Sequence, residues 1–484
     1  MRLFVISDLH LGGRPHTDSG AMGSQICQAY NELTSFIDWV RKQAKGNGPV
    51  ELVINGDIVD FLMEDDYGDA NAVSPWISDE LLILEKLKLI IDRTKNGSEY
   101  GPFDAMAALL AAGQNLTFLL GNHDIELSLP AVRRYLEQKF SGTGRFRFIY
   151  DGEAYVKGDL LIEHGNRYDS WNIIDHSALR QERSMLSRGL GTRMQQRTPD
   201  AFTPPPGSFM VIKVINEIKR KYRFVDLLKP ETEAVLPILL ALHPNLQHAL
   251  QAALRAGYQS ANEFVTSAEP SNAGQLSTQS QVAIPTLATT LKKVVGAEGA
   301  SKFSVQATNG GELGAAESLQ KLRELSKNIK AFIDGKASLF SEHTAGARNE
   351  LLRMGLNAWR GKLSRNEQRE VSPYRDAAEE LVIEGKFKCV VFGHTHLPKR
   401  EVIAPDGASA IYINTGTWTD TMQIPLNLLE PGAATSADFR NFLGDLQENR
   451  LDKYLERRLS YADIMLDNDD HVLSADLKHY LIQK

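Results

Sequence analysis

Residues 389–398 read CVVFGHTHLP and join a short apolar run to two histidines on alternate positions. A near-continuous apolar run of this length is typical of a strand that is covered on both faces. Side chains two residues apart in an extended segment point to the same side. His394 and His396 are therefore expected to face one site just beyond the end of a buried strand.

Similar apolar runs that end in polar residues recur along the chain. They are LFVISDLH (3–10), ELVINGD (51–57), LTFLLGNHD (116–124), DLLIEHGN (159–166) and AIYINTGTW (410–418). Helix-like stretches lie between the first of these runs, for example ICQAYNELTSFIDWVRKQAKG (26–46), which has apolar residues at helical spacing. Strands that alternate with helices predict an α/β domain, whose sites form beyond the carboxyl ends of the strands.

The residues that follow these strands form a set of metal ligands. They are Asp8, His10, Asp57, Asn122, His164, His394 and His396. Imidazole together with carboxylate and amide oxygen suits manganese, iron or zinc better than calcium or magnesium. Seven ligands are too many for one ion and about right for two ions that share a carboxylate. Two such ions can clamp a phosphoryl group and generate hydroxide near neutral pH.

The order of these blocks resembles the calcineurin-like metallophosphoesterase superfamily. The blocks are D-x-H (8–10), G-D-x-x-D (56–60), G-N-H-D (121–124), H-G (164–165) and G-H-T-H (393–396). The resemblance covers residues 1 to about 170 and about 386 to 420. It implies an α/β fold, a four-layer α/β/β/α sandwich with a dinuclear metal centre at its edge.

The resemblance also implies a role for each residue of the blocks. The ligands of the first ion would be Asp8, His10 and His396. The ligands of the second ion would be Asn122, His164 and His394. Asp57 would bridge the two ions, and His123 would be the catalytic imidazole near the leaving group, steered by Asp124. The implied cofactors are two divalent metal ions, manganese first, with iron or zinc as alternatives.

Within the superfamily, the chain resembles the UDP-2,3-diacylglucosamine hydrolases, which cleave a pyrophosphate. The chain shares SDLHLG (7–12), GHTHLP (393–398) and a helical insertion before the G-H-T-H block. It differs from that branch at His123, where those enzymes usually carry arginine, and at Asn166, where they usually carry aspartate. Its insertion is also far longer than theirs.

Several residues near the blocks are candidates for contact with substrate. They are Arg14, Arg167, Tyr168, Asp169 and Asn172. The alternative to substrate contact is a solvated loop for Arg14. For the other four residues it is the start of a helix with a buried tryptophan. Asp60 either supports the Asp57 loop through a hydrogen bond or caps the turn that follows.

The arrangement of patterns along the chain predicts a core that is split by an insertion. The predicted parts are the first part of the core (1–177), a mainly helical insertion or cap (178–385) with a flexible segment near 259–315, the second part of the core (386–425), and a C-terminal extension (426–484).

Charge and cysteine content limit the setting of the protein. The net charge of −7 over 484 residues does not indicate an overall nucleic-acid binder. Residues 178–229 nevertheless hold eleven Lys or Arg and four Asp or Glu. This basic stretch fits a cap over an anionic substrate, a peripheral membrane surface, a nucleic-acid contact or a solvated helical face. Two distant cysteines and the lack of a signal-peptide pattern predict a cytoplasmic protein.

Together these patterns predict a dinuclear metal-dependent phosphohydrolase. Its substrate would be a phosphate ester, cleaved at a phosphodiester or pyrophosphate bond by attack of metal-bound hydroxide. The alternatives are a nuclease acting on DNA or RNA, a phosphomonoesterase or protein phosphatase, and a scaffold without catalysis. The substrate, the native metal pair and the oligomeric state do not follow from the sequence.

Overall fold

The structure is a computed structural model of the 484-residue chain. It describes residues 1–14, 24–44, 48–63, 76–169, 172–189, 373–407 and 409–481, with isolated residues between 202 and 228 and between 349 and 360. The chain forms two compact units. The first comprises Met1–Lys221, Arg365–Thr421 and Glu456–Lys484; the second comprises Tyr222–Ser364 and Met422–Leu455.

Four parallel strands start the larger sheet of the first unit. They are β1 (Arg2–Ile6), β2 (Val50–Asn55), β3 (Asn115–Leu119) and β4 (Phe146–Ile149). Each strand pairs in parallel with the next one along the chain. Because parallel neighbours share one direction, the loops after β1, β2 and β3 leave the sheet at the same edge.

A second sheet of five strands belongs to the same unit. Its strands are β5 (Tyr155–Lys157), β6 (Leu160–Ile162), β7 (Cys389–Phe392), β8 (Lys399–Ile403) and β9 (Ala410–Asn414). Their order is β5-β6-β7-β9-β8, with β6, β7 and β9 parallel. The loops that carry the H-G and G-H-T-H blocks therefore leave neighbouring strands on the same side.

Two long strands near the C-terminus complete the larger sheet. After the short strands β10 (Thr421–Met422) and β11 (Leu455–Glu456) come β12 (Ser460–Leu466) and β13 (Val472–His479). β12 pairs antiparallel with β1, and β13 pairs antiparallel with β12. The sequence patterns did not predict these two strands, which place the end of the chain in the core sheet.

The helices surround the sheets of the first unit or lie in the second unit. They are α1 (Tyr30–Gln43), α2 (Glu80–Arg93), α3 (Pro102–Ala111), α4 (Pro130–Lys139), α5 (His176–Leu186), α6 (Phe224–Leu227), α7 (Tyr374–Gly385) and α8 (Ala437–Gln447). In α1, Leu33, Phe36, Ile37 and Val40 are buried at helical spacing. Burial of each such side chain contributes roughly 1.5–3 kcal/mol.

Alternate residues of the strands enter different cores. Phe4 of β1 belongs to the core that includes α1 and α3, whereas Leu3 shares a core with Val391 and Ile413 of the second sheet. The far side of the second sheet packs with α7 through residues such as Tyr412. This succession of a helical layer, two sheets and a helix is consistent with the predicted α/β sandwich.

The boundaries of the two compact units differ from the domain boundaries that the sequence predicts. The domain boundaries themselves stay a prediction. Helix α5 lies within the predicted insertion, yet Leu179 is buried in the core of the first unit. In the second unit, Arg353 donates a hydrogen bond to the carbonyl of Leu429 at 2.7 Å. The predicted flexible segment at 259–315 lies outside the described residues. Among the described residues, no helix is long and apolar enough to cross a membrane.

Candidate metal centre

The predicted ligands of the first ion form a compact group, which we call the first triad. Asp8, His10 and His396 each offer a ligand atom, and these atoms lie within 4.8 Å of one another. Nε2 of His396 is 3.3 Å from Oδ1 of Asp8 and 3.1 Å from Nε2 of His10. All three residues are buried. The structure thus brings together residues that follow β1 and β7.

Asp57, His164 and His394 form a second group of the same kind, the second triad. Nε2 of His164 lies 3.2 Å from Oδ2 of Asp57. The same carboxylate oxygen lies 3.7 Å from Nε2 of His10 in the first triad. Asp57 is therefore within reach of both groups, which is the position that a shared ligand needs.

The backbone at five of these ligands has an uncommon left-handed conformation. The φ angles are 52° at Asp8, 44° at His10, 50° at Asp57, 66° at His394 and 59° at His396. Left-handed backbone costs about 1–2 kcal/mol for a residue with a Cβ, and such strain tends to collect at functional sites.

Two glycines of the blocks permit the close approach of these loops. A Cβ at Gly121 would overlap Oδ1 of Asp57, and a Cβ at Gly393 would lie 2.6 Å from Oδ2 of Asp8. Any other residue at either position would push against a ligand carboxylate. The glycines of G-N-H-D and G-H-T-H are thus part of the ligand geometry.

The carboxylates depend on nearby positive charge. Burial alone would raise the pKa of Asp8, but the charge of His396 and its hydrogen bond lower that pKa to about 2. Burial is likewise outweighed at Asp57, whose pKa is held well below its usual range by His164 and His123. Conversely, Asp57 overcomes the effect of burial at His164 and raises its pKa to about 10. Buried carboxylates that need positive partners suit a site for cations.

Two further contacts fit a site for metal ions. Nδ1 of His164 donates to the carbonyl of Asn55 at 2.8 Å, which leaves Nε2 beside Asp57. Oδ1 of Asn122 is buried and makes no hydrogen bond within the described part of the chain. A buried acceptor without a partner costs about 1–3 kcal/mol, which coordination to an ion would remove. The residues present therefore fit the implied metal ions.

Asp60 connects the first triad to the predicted catalytic imidazole. Its Oδ2 lies 3.1 Å from Nδ1 of His10 and 3.1 Å from Nδ1 of His123. Burial opposes ionisation of Asp60, but His123 and His10 hold its pKa well below the usual range. An ionised carboxylate can only accept, so both rings donate through Nδ1 and keep Nε2 for other tasks. Oδ1 of Asp60 also accepts from the amide of Met63 at 3.2 Å, so it caps the turn as well.

Asp124, whose predicted role in steering His123 stays a prediction, contacts the backbone of two loops. Its two carboxylate oxygens accept from the backbone amides of Ile58 and Gly121, each at 2.7 Å. Burial, followed by the charge of Asp57, raises the pKa of Asp124 to about 7. Asp124 therefore fixes the loops around Asp57, while Asp60 is the carboxylate at the His123 ring.

The predicted substrate residues divide into two groups. Asp169 and Asn172 come to the second triad: Oδ2 of Asp169 lies 3.1 Å from Nε2 of His394. By contrast, the hydroxyl of Tyr168 donates to Glu163 at 2.5 Å, and the guanidinium of Arg167 lies 3.5 Å from the same carboxylate. These two side chains thus brace the loop after β6.

The fifth substrate candidate, Arg14, is an exposed residue in the loop after the first block. Its backbone amide donates to Oγ of Ser24 at 2.9 Å, and its carbonyl accepts from the amide of Gln25 at 3.0 Å. These contacts fix the backbone of the loop. The substrate role of the side chain stays a prediction.

Comparison with known families agrees with this site. Residues 1–202 match the family model of the calcineurin-like phosphoesterases. No curated protein matches the chain. The matched region contains the D-x-H, G-D-x-x-D, G-N-H-D and H-G blocks, and the clustered histidines and aspartates provide metal-binding groups. Residues 1–202 therefore form a calcineurin-like phosphoesterase domain, which supports metal-dependent hydrolysis of phosphoester bonds.

Proposed function

We propose that the chain hydrolyses a phosphodiester or a pyrophosphate with a pair of divalent metal ions. The observation that carries this proposal is the meeting of two ligand triads at one carboxylate, that of Asp57. One isolated triad would fit a structural ion equally well. Two triads that share an oxygen ligand, beside an oriented imidazole, favour phosphoryl transfer.

Each ion has its own set of protein ligands in this proposal. Asp8, His10 and His396 hold the first, and Asn122, His164 and His394 hold the second. Asp57 serves both. When bound, the two ions would neutralise the phosphoryl oxygens and lower the pKa of water toward 7. The mixture of imidazole, carboxylate and amide ligands favours manganese, with iron or zinc as alternatives.

His123 is the proposed acid for the leaving oxygen. Its Nδ1 lies 3.1 Å from Oδ2 of Asp60, and its side chain is 20% exposed. Its amide also donates to Oδ1 of Asp57 at 2.9 Å, which ties the residue to the shared ligand. An imidazole held in this way can act as a general acid.

The preference for a diester or pyrophosphate is supported by the resemblance of two segments. SDLHLG (7–12) and GHTHLP (393–398) resemble the corresponding segments of enzymes that cleave the pyrophosphate of UDP-2,3-diacylglucosamine. His123 stands where those enzymes usually carry arginine, so the lipid substrate itself is not part of the proposal. The proposed substrate class is a phosphorus centre with two ester or anhydride bonds.

A comparison of paired substrates tests the proposal. The full chain, supplied with Mn²⁺, is expected to cleave bis-p-nitrophenyl phosphate or a nucleotide pyrophosphate faster than p-nitrophenyl phosphate. The Asp57→Asn variant serves as the inactive control. Faster cleavage of the monoester would contradict the proposal. Degradation of oligonucleotides with salt-sensitive binding would instead indicate a nuclease.

We also propose a cytoplasmic setting. Cys27 and Cys389 are both free and buried, as is usual where thiols stay reduced. Peripheral membrane contact through the basic stretch at 178–229 belongs to the same proposal, although seven of its eleven Lys and Arg residues lie outside the described residues. Fractionation of cells at low and high salt tests it, since electrostatic membrane contact is released by salt.

A further inference from the structure

A chain of polar contacts links two ligands of the second ion through residues outside the ligand set. Nδ2 of Asn172 donates to Oδ2 of Asp169 at 2.8 Å, and Oδ1 of Asn172 accepts from Nδ2 of Asn122 at 3.3 Å. The same Oδ2 of Asp169 lies 3.1 Å from Nε2 of His394. The contacts therefore run from His394 through Asp169 and Asn172 to Asn122.

The chemistry of these groups sets the direction of the two side-chain contacts that Asn172 makes. A carboxylate can only accept, so Asn172 must present its NH2 group to Asp169. The carbonyl oxygen of the Asn172 amide then faces Asn122. That oxygen can only accept, so Asn122 must present its own NH2 group to Asn172. Oδ1 of Asn122 is thereby left on the opposite side, buried and without a hydrogen-bond partner in the described structure.

The orientation of the Asn122 amide decides whether it can bind a cation. Its oxygen is a metal ligand, whereas its NH2 group carries only donors and repels a cation. The two orientations of an amide have nearly the same shape, so packing alone selects weakly between them. A neighbour of fixed polarity is needed to keep the oxygen toward the second triad.

The backbone of Asn172 is itself held in place. Nδ2 of Asn166 donates to the carbonyl of Asn172 at 2.8 Å. Asn166 lies two residues after His164, is 8% exposed, and belongs to the segment that follows β6. The segment therefore fixes Asn172 next to Asn122, and its side chain can act as a rigid relay.

We propose that Asp169 and Asn172 are a positioning pair that sets the amide orientation of Asn122 and so completes the binding site of the second ion. Asp169 can only accept, so it fixes the orientation of the Asn172 amide, and the oxygen of that amide fixes the orientation of Asn122. The inference rests on the proposed pair of metal ions. It differs from the role in substrate contact that the sequence predicts for these two residues.

Titration calorimetry of the full chain with Mn²⁺, after removal of bound metal by a chelator, tests the pair. The wild-type chain is expected to bind two ions. Asp169→Asn lets the Asn172 amide turn either way, and Asn172→Ala removes the relay. Each variant is expected to weaken one of the two binding steps by about 10–100-fold, the usual effect of losing a residue that orients a metal ligand. The other step stays within twofold of wild type.

Two controls separate positioning from a general structural effect. Asp175→Asn removes a carboxylate three residues after Asn172 but keeps a good helix cap for α5, so both binding steps should be unchanged. The double exchange of Asp169→Asn with Asn172→Asp restores a fixed acceptor beside Asn122. It should recover at least half of the lost affinity, measured as the logarithm of the binding constant.

Each outcome of this experiment bears on one conclusion. If the wild-type chain binds two ions and Asp169→Asn binds both with unchanged affinity, the positioning pair is wrong and the proposed function stands. If the double exchange is no better than Asp169→Asn alone, the relay of amide orientation is also wrong. If the wild-type chain binds fewer than two ions, the proposed function and the inference fail together.

Discussion

The two triads differ in the part of the chain that supports them. The first triad is wholly buried, and Asp60 supports it from the end of β2. The second triad includes the partly exposed His394, which contacts the loop residue Asp169. Asn122, the further proposed ligand of the second ion, contacts Asn172. Strand ends are fixed by the sheet, whereas loop residues are fixed only by their own contacts. We therefore expect the first ion to bind more tightly than the second.

The largest expected effect comes from removing the carboxylate of Asp57, which belongs to the second triad and lies within reach of the first. Asp57→Asn takes one charge from both groups, and it is expected to abolish the two-ion complex and reduce hydrolysis to the background of the assay. Metal content and turnover of bis-p-nitrophenyl phosphate would be measured on the same preparation. Retention of two tightly bound ions would show that the triads do not depend on a common ligand.

A change at His123 should separate chemistry from metal binding. His123→Ala removes the proposed acid but none of the proposed ligands, so kcat should fall by about 10²–10⁴-fold while both ions stay bound. Steady-state kinetics with elemental analysis would check this. A variant with full activity would contradict the role of His123, and a variant that loses metal would instead place this ring among the ligands.

Asp60→Asn tests whether Asp60 supports the first triad and not the second. Asparagine keeps the shape but loses the charge that orients His10 and His123. Affinity for the first ion and kcat should each fall by about 10–100-fold. Titration calorimetry with Mn²⁺ would compare this variant with Asp169→Asn, which is expected to weaken binding of the second ion. If both variants weakened the same binding step, the two triads would not be separate sites.

The smallest effect is expected far from both triads, at Asp463 of β12. This carboxylate pairs with Arg2 at 2.7 Å and with Lys478 at 2.6 Å. Burial would raise its pKa, but Arg2 and Lys478 lower it. Asp463→Asn should reduce the free energy of unfolding by about 1 kcal/mol, because both partners are partly exposed, and leave kcat and metal binding unchanged.

The lowered pKa of Asp463 also gives a pH dependence. Because the pKa is lower in the folded than in the unfolded chain, the stabilisation is present above the ordinary pKa of ~3.9 and is lost as pH falls through the folded value. Urea unfolding of wild type and Asp463→Asn at several pH values would measure it. A stability difference that grew below pH 4 would contradict the assigned direction.

Much of the site could be predicted because its ligands directly follow buried strands. The apolar runs before Asp8, Asp57 and His394 indicate strands, and parallel strands bring their ends together. The partner of His123 could not be predicted in the same way. Asp60 and Asp124 are both carboxylates in loops of the blocks. In the folded chain, two backbone amides donate to Asp124, and the carboxylate that contacts the His123 ring is that of Asp60.

The C-terminal strands were missed for another physical reason. β12 reads SYADIML and lies beside β1, so it is buried on both faces despite its polar residues. The preceding helix α8 has apolar residues at helical spacing, which is a stronger sequence pattern than that of the short strand. Pairing between residues more than 450 positions apart, such as Arg2 with Met465, leaves no local trace in the sequence.

The left-handed backbone at five of the proposed ligands has a consequence for handling the protein. Each of these conformations holds the chain in an unfavourable state that is worth about 1–2 kcal/mol, and ion binding acts only on the folded form. Preparations stripped by a chelator should therefore melt at a lower temperature than those refilled with Mn²⁺. Low heat tolerance of a purified sample would then report missing cofactor rather than a damaged fold.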